Sequence, residues 1–134
     1  MKKQWHIYLA GGLFATSLGL HAEAWNCQNS VEIQCTDAAC TTSEHGEVTP
    51  ADVSFDTRGT FSICVYSGCW NGKGHVVTNG PLLVIQKNRA DWSVPNLKAE
   101  MREDVSIVFS TKDHIALVKT GTLILPMHCS KPPQ

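Results

Sequence analysis

Basic runs, RNA-binding aromatic motifs and amphipathic cationic helices are all missing from this 134-residue sequence. Nucleic acid and membrane surfaces are therefore not expected partners. Catalytic signatures are missing too. Ser67 does not sit in a Gly-x-Ser-x-Gly elbow, and Gly72-Lys73-Gly74 lacks the rest of a Walker pattern. Glycoside hydrolysis needs two facing carboxylates, whereas Glu100, Glu103 and Asp104 form one cluster of the kind a solvated face carries. His45, His75, His114 and His128 have no nameable catalytic partner and read as surface or packing histidines. No enzyme activity and no cofactor are expected.

What is present begins with a three-part N-terminus. Lys2 and Lys3 precede an apolar segment, Ile7 to Leu20, and His21-Ala22-Glu23-Ala24 supplies an Ala-x-Ala site. That order predicts a signal peptide over 1–24, cleaved after Ala24, with residues 25–134 exported to the periplasm or secreted. The apolar segment is shorter than the roughly 20 residues of a spanning helix, so no membrane anchor is expected after cleavage. Losing Lys2, Lys3 and Glu23 leaves 9 basic and 11 acidic side chains, a net charge of −2.

The six cysteines, Cys27, Cys35, Cys40, Cys64, Cys69 and Cys129, all follow the signal segment. An even count in a short exported chain reads as a disulfide framework. The Cys-x4-Cys spacings are not the tight knuckles of structural zinc, so no metal is expected. Among the possible pairings, Cys27–Cys129, Cys35–Cys40 and Cys64–Cys69 is preferred. Its first bridge closes the longest loop and so restricts the unfolded chain most. Cross-pairing between the two short segments stays open as the rival.

No linker or composition break divides the mature chain, which reads as one domain. Its apolar periodicity is two. Val31 to Cys35 alternates, and Val53 to Phe55 and Thr60 to Tyr66 flank the turn-like Asp56-Thr57-Arg58-Gly59. Gly74 to Thr78 and Leu82 to Gln86 flank Asn79-Gly80, a strong hairpin signal. Val105 to Ser110, His114 to Lys119 and Thr122 to His128 form a meander. The expectation is an all-β fold: a small, disulfide-stabilised antiparallel barrel of about eight strands. Asp37 to Pro50 reads as polar loop. Lys87 to Asp104 shows no strand pattern, and Leu97 to Arg102 is expected to make one or two helical turns.

The densest functional segment runs from Val65 to His75. Its Tyr66, Ser67, Gly68, Trp70, Asn71, Lys73 and His75 are the candidate partner-binding residues. Glycines permit unusual backbone angles there, and a Cys64–Cys69 bridge stiffens the loop, so little entropy is lost on docking. The competing reading makes Cys69 a staple and Trp70 a cover for the barrel end.

With Cys27 just after the signal, Cys129 near the C-terminus, Ser67-Gly68, and Lys73-Gly74 following Trp70, the chain resembles the small periplasmic inhibitors of C-type lysozyme. Four further cysteines are additional to that pattern. The resemblance implies an exported β-barrel that inserts a loop into the cleft of a lysozyme-like cell-wall hydrolase. Ser67, Lys73 and His75 would meet the cleft carboxylates, with Tyr66 and Trp70 in sugar subsites. Two other classes are an immunity protein for a different exported toxin and a small-ligand carrier or structural envelope protein. The bulky rows Phe61/Ile63/Val65 and Val105/Ile107/Phe109 suit a filled barrel better than a carrier.

Overall fold

The computed structural model describes residues 21–44, 46–94 and 101–134. The apolar part of the expected signal peptide, His45, and residues 97–100 of the expected helical turns lie outside the described residues. Eleven strands follow one another: β1 (Ala24–Asn29), β2 (Val31–Cys35), β3 (Cys40–Glu44), β4 (Asp52–Asp56), β5 (Thr60–Val65), β6 (Gly68–Lys73), β7 (His75–Asn79), β8 (Leu82–Ser93), β9 (Arg102–Ser110), β10 (Ile115–Thr120) and β11 (Leu123–Ser130).

Eight of them close a barrel in the order β1-β4-β5-β6-β8-β9-β10-β11, sealed by antiparallel pairing of β1 with β11. The other three extend it. The β2–β3 hairpin joins β11 through Leu123 and Ile124, and β7 continues β6 alongside β8. The all-β barrel and both expected hairpins are therefore present. All three disulfides join residues directly opposite on neighbouring antiparallel strands: Cys27–Cys129, Cys35–Cys40 and Cys64–Cys69. Their Cα separations of 4.0–4.1 Å are those of closely approaching strand pairs. With every cysteine oxidised, none is left to bind zinc.

Alternation builds the interior. Val105, Ile107 and Phe109 of β9 point inward and are fully buried, as are Ile63, Ile85 and Val118 from three other strands. Phe109 sits at the centre, with the rings of Trp25 and Phe55 at 4.7 and 5.1 Å. His114 packs at a tilt against the Trp25 ring, with centroids 4.9 Å apart, and takes a positive φ of 57°, so it ends the turn and Ile115 starts β10.

Two segments depart from the sequence reading. Part of the expected 37–50 loop is strand β3, whose Cys40-Thr41-Thr42-Ser43-Glu44 pairs with β2 alone. Its side chains are mostly exposed on both faces, so no alternation could betray it. The 87–104 segment also contains strand: β8 runs on to Ser93 and β9 begins at Arg102. A bulge between Lys87 and Ala90 breaks the alternation, with Arg89 at a φ of 53°. The Asp104 carboxylate accepts a 2.8 Å bond from the Arg89 amide at that point. A bulge flips the parity of the residues beyond it, which is what erased the period.

Glu32 is the one buried carboxylate among the described residues, 3% exposed at the base of the β2–β3 hairpin. It accepts hydrogen bonds from Gln34 Nε2 at 2.7 Å and from the Thr49 amide at 2.8 Å, pinning the chain that leads into β4. Burial pushes its pKa up, but the bonds from Gln34 and Thr49 together outweigh it and leave the carboxyl below its ordinary value. A depressed folded-state pKa adds stability above the unfolded value, and that stability is lost as pH falls through the folded value. Glu32→Gln is therefore expected to cost about 2 kcal/mol at neutral pH, with the deficit shrinking below about pH 4. Urea unfolding at the two pH values checks this; a deficit that does not change with pH would contradict it.

Candidate functional site

The candidate segment is a pair of strands rather than a loop. Cys64 and Cys69 face each other, Val65 faces Gly68, and Tyr66-Ser67 is the two-residue connection between β5 and β6. Tyr66 is 82% exposed, more than any other large apolar or aromatic side chain described, and Ser67 is exposed beside it. The disulfide closes the base of this tip one residue pair behind it. A short cleft of about 490 Å³ flanks it, lined by Val65, Tyr66, Ser67, Cys69, Ser93 and Val94.

Gly68 has a positional reason, but not the one expected of it. Neither Gly68, Gly72 nor Gly74 has a positive φ. A Cβ on Gly68 would fall 2.8–2.9 Å from the Trp92 indole and collide with the Ser93 carbonyl. Gly74 is hemmed in likewise, with Ile85 and the Gln86 carbonyl at 2.7 Å from a Cβ there. These glycines let β8 approach β6 and β7 closely.

The remaining predicted residues do not gather at the tip. Trp70 points into the barrel, only 7% exposed, and its ring lies 4.1 Å from that of its register partner Trp92. So buried, it offers little surface to a partner, where a place in a sugar subsite was expected. Asn71 points outward, and its Nδ2 donates to Ser93 Oγ at 3.1 Å, while that hydroxyl donates to the Cys69 carbonyl at 3.2 Å. Asn71 thus braces β6 against the end of β8. Lys73 and His75 are exposed but lie along the strand, about 20 and 26 Å from Ser67 at ordinary strand rise. Ser67 and Lys73 therefore cannot enter one narrow cleft together.

Sequence reasoning missed Ser93 and Val94, which line the far side of the tip, and Trp92, whose ring lies against Trp70. Trp92 and Ser93 end β8 beyond the bulge, and Val94 follows them. One signal was available for Trp70: with Cys64 on the outer face and bridged to Cys69, parity sends the next residue inward.

A second concavity, a shallow groove of about 520 Å³, crosses the outer wall over β11, β1, β4 and β5. Its cross-strand row is Ser130, Asn26, Ser54 and Ser62, small and polar throughout. Among the described residues, no group of three or more His, Cys, Asp or Glu is placed to hold a metal ion. Comparison of the chain with protein-family models, with curated proteins and with solved structures finds no match.

Proposed function

We propose that this protein is exported, loses its signal peptide after Ala24, and blocks a lysozyme-like cell-wall hydrolase in the periplasm or outside the cell without performing chemistry itself. The observation that carries this reading is the Tyr66-Ser67 tip, a largely exposed aromatic and a hydroxyl on a hairpin stapled by Cys64–Cys69. A rigid, protruding tip loses little conformational entropy when it enters a cleft, and an aromatic anchor is the usual centre of a tight interface. Ser67 supplies a donor for a cleft carboxylate, and Tyr66 supplies a face for a sugar subsite. Lys73 and His75 stand too far along the strand to share that cleft, so they act outside its rim.

Three disulfides suit an oxidising compartment. Cleavage after Ala24 leaves the barrel seam in place. Glu23 contributes an exposed ion pair with Lys131 at 3.0 Å, worth little, while Trp25 and Cys27 remain in β1. The filled interior, with Phe109, Ile107 and Ile85 fully buried, speaks against carriage of a ligand within the barrel.

The test is inhibition of C-type, G-type and I-type lysozymes by the purified, oxidised protein. At least one enzyme is expected to lose lytic activity. Tyr66→Ala is expected to weaken that inhibition about a hundredfold, and Ser67→Ala by less, with unfolding curves unchanged. No inhibition of any lysozyme, with capture of a different exported toxin, would favour the immunity-protein reading. Parent-like inhibition by both variants would move the contact away from the tip.

A further inference from the structure

The outer wall of the barrel has two unlike halves. Over β1, β4 and β5 the outward row is serine and asparagine, as an antiparallel sheet facing water requires. Over β7 to β11 it is not. Val77 lies opposite Val84, Val84 opposite Val108, Val108 opposite Leu117, and Leu117 opposite Pro126. Five neighbouring strands thus carry one unbroken apolar row on the solvent side. In the next row, Leu82 and Ile115 stand on either side of Ser110.

Val77, Leu82, Val108, Ile115 and Leu117 are each 40–51% exposed. Together these side chains expose on the order of 400 Å² of apolar surface, about half of the ~800 Å² that each partner gives to a standard interface. Apolar runs such as Leu82-Leu83-Val84-Ile85 and Ile115-Ala116-Leu117-Val118 belong to strands covered on both faces. The inner face is covered by the core. The outer face stays open among the described residues.

We propose that its cover is another copy of this chain, packed face to face across a two-fold axis parallel to β9. The pattern of the face is self-complementary about that axis. Val108 is the middle residue of the row and meets itself. The rotation places β8 over β10 of the other copy, so Val84 meets Leu117 and Leu82 meets Ile115. Val77 and Pro126, at the ends of the row, curve away with the barrel wall and stay outside this contact. In the flanking row, Gln86 and Lys119 both lie opposite Ser106 within the sheet, so Gln86 meets Lys119 and no lysine faces a lysine. Every apolar position of β8, β9 and β10 in the two central rows therefore has an apolar counterpart. Aligned sheets pack this way about 10 Å apart, with the strand directions within about 30°. The symmetry is isologous, so the assembly stops at two. A lipid surface fits the face less well, because its exposed apolar side chains are aliphatic, without the aromatic residues that anchor a protein at a headgroup layer, and Lys119 is the one lysine or arginine in these rows. The inference is independent of the tip, which lies on β5 and β6.

The experiment is sedimentation velocity on the purified, oxidised protein from about 1 to about 100 µM. A concentration-dependent dimer is expected. Val84→Lys and Leu117→Glu are each expected to weaken it at least about a hundredfold, because each variant places a charge on an apolar side chain twice per dimer. An equimolar mixture of the two variants is expected to dimerise again. One of its two contacts then sets the introduced lysine against the introduced glutamate in trans, and the other stays Val84 on Leu117. Rescue in the mixture also demonstrates that both variants are folded. A parent that is monomeric at every concentration would overturn the proposal and assign the face to a different protein or to lipid. Variants that stay dimeric, or a mixture that stays monomeric, would overturn this face or this register.

Discussion

Removing the Cys27–Cys129 bridge is expected to lower the unfolding free energy by about 4–5 kcal/mol, while removing Cys35–Cys40 lowers it by about 2 kcal/mol. The difference comes from the unfolded chain. The first bridge links residues 102 apart in sequence, and the second links residues only 5 apart. Loop-closure entropy grows with the logarithm of the loop, so the long bridge restricts the denatured ensemble far more. Its place in the fold sharpens the effect. Cys27 and Cys129 lie on the seam where the N-terminal strand β1 meets the C-terminal strand β11, and both are buried. Without the bridge that seam rests on backbone pairing and on the exposed contacts of Lys131 with Glu23 and the Trp25 ring. Urea unfolding of the paired Cys→Ala variants measures both losses, and amide exchange across β1 reports on the seam. Equal losses from the two bridges would mean that loop length is not what sets their contribution.

Phe109→Ala is expected to cost about 3–5 kcal/mol, whereas Val108→Ser, one residue away, costs less than about 1 kcal/mol in the monomer. Phe109 is fully buried between Trp25 and Phe55, and no neighbouring backbone can move in to fill the space, because all the surrounding strands are hydrogen-bonded on both sides. The truncation therefore leaves a cavity as well as losing transfer energy. Val108 points the other way and is 40% exposed. Chemical denaturation of dilute protein measures both variants. A Phe109→Ala loss near 1 kcal/mol would show that the core around Trp25 collapses to fill the gap.

The alternation that separates those two neighbours was readable residue by residue. So were the hairpins at Asp56-Thr57-Arg58-Gly59 and Asn79-Gly80, because turn chemistry and period-two patterning are local properties. Loop length favoured the observed disulfide pairing but left cross-pairing of the two short segments open, and the strand register decides between them. Strand β3 was not legible, since its residues lie exposed on both faces at an edge and carry no period. The second half of β8 was not legible either: the bulge at Lys87–Ala90 resets the parity, and Trp92 lost its connection to Trp70. The candidate site was half legible. Tyr66 and Ser67 stand where a turn between two bridged cysteines puts them, but Trp70, Lys73 and His75 were grouped with them by sequence proximity, and an extended strand separates what a loop would have gathered.

The sequence by itself determined the class of fold, the strands of the meander, the oxidised state of the cysteines and the rows that fill the interior. Each of these depends on near neighbours or on composition. Only the tertiary structure decided which strands lie side by side and in what register. That decision turned Val77, Val84, Val108, Leu117 and Pro126, far apart in the chain, into one outer apolar row, and brought Ser93 and Val94 against the Tyr66 tip. Inter-strand register is set by contacts between residues distant in sequence. No local pattern carries that information, and both surfaces on which this protein's function is proposed to rest are made of it.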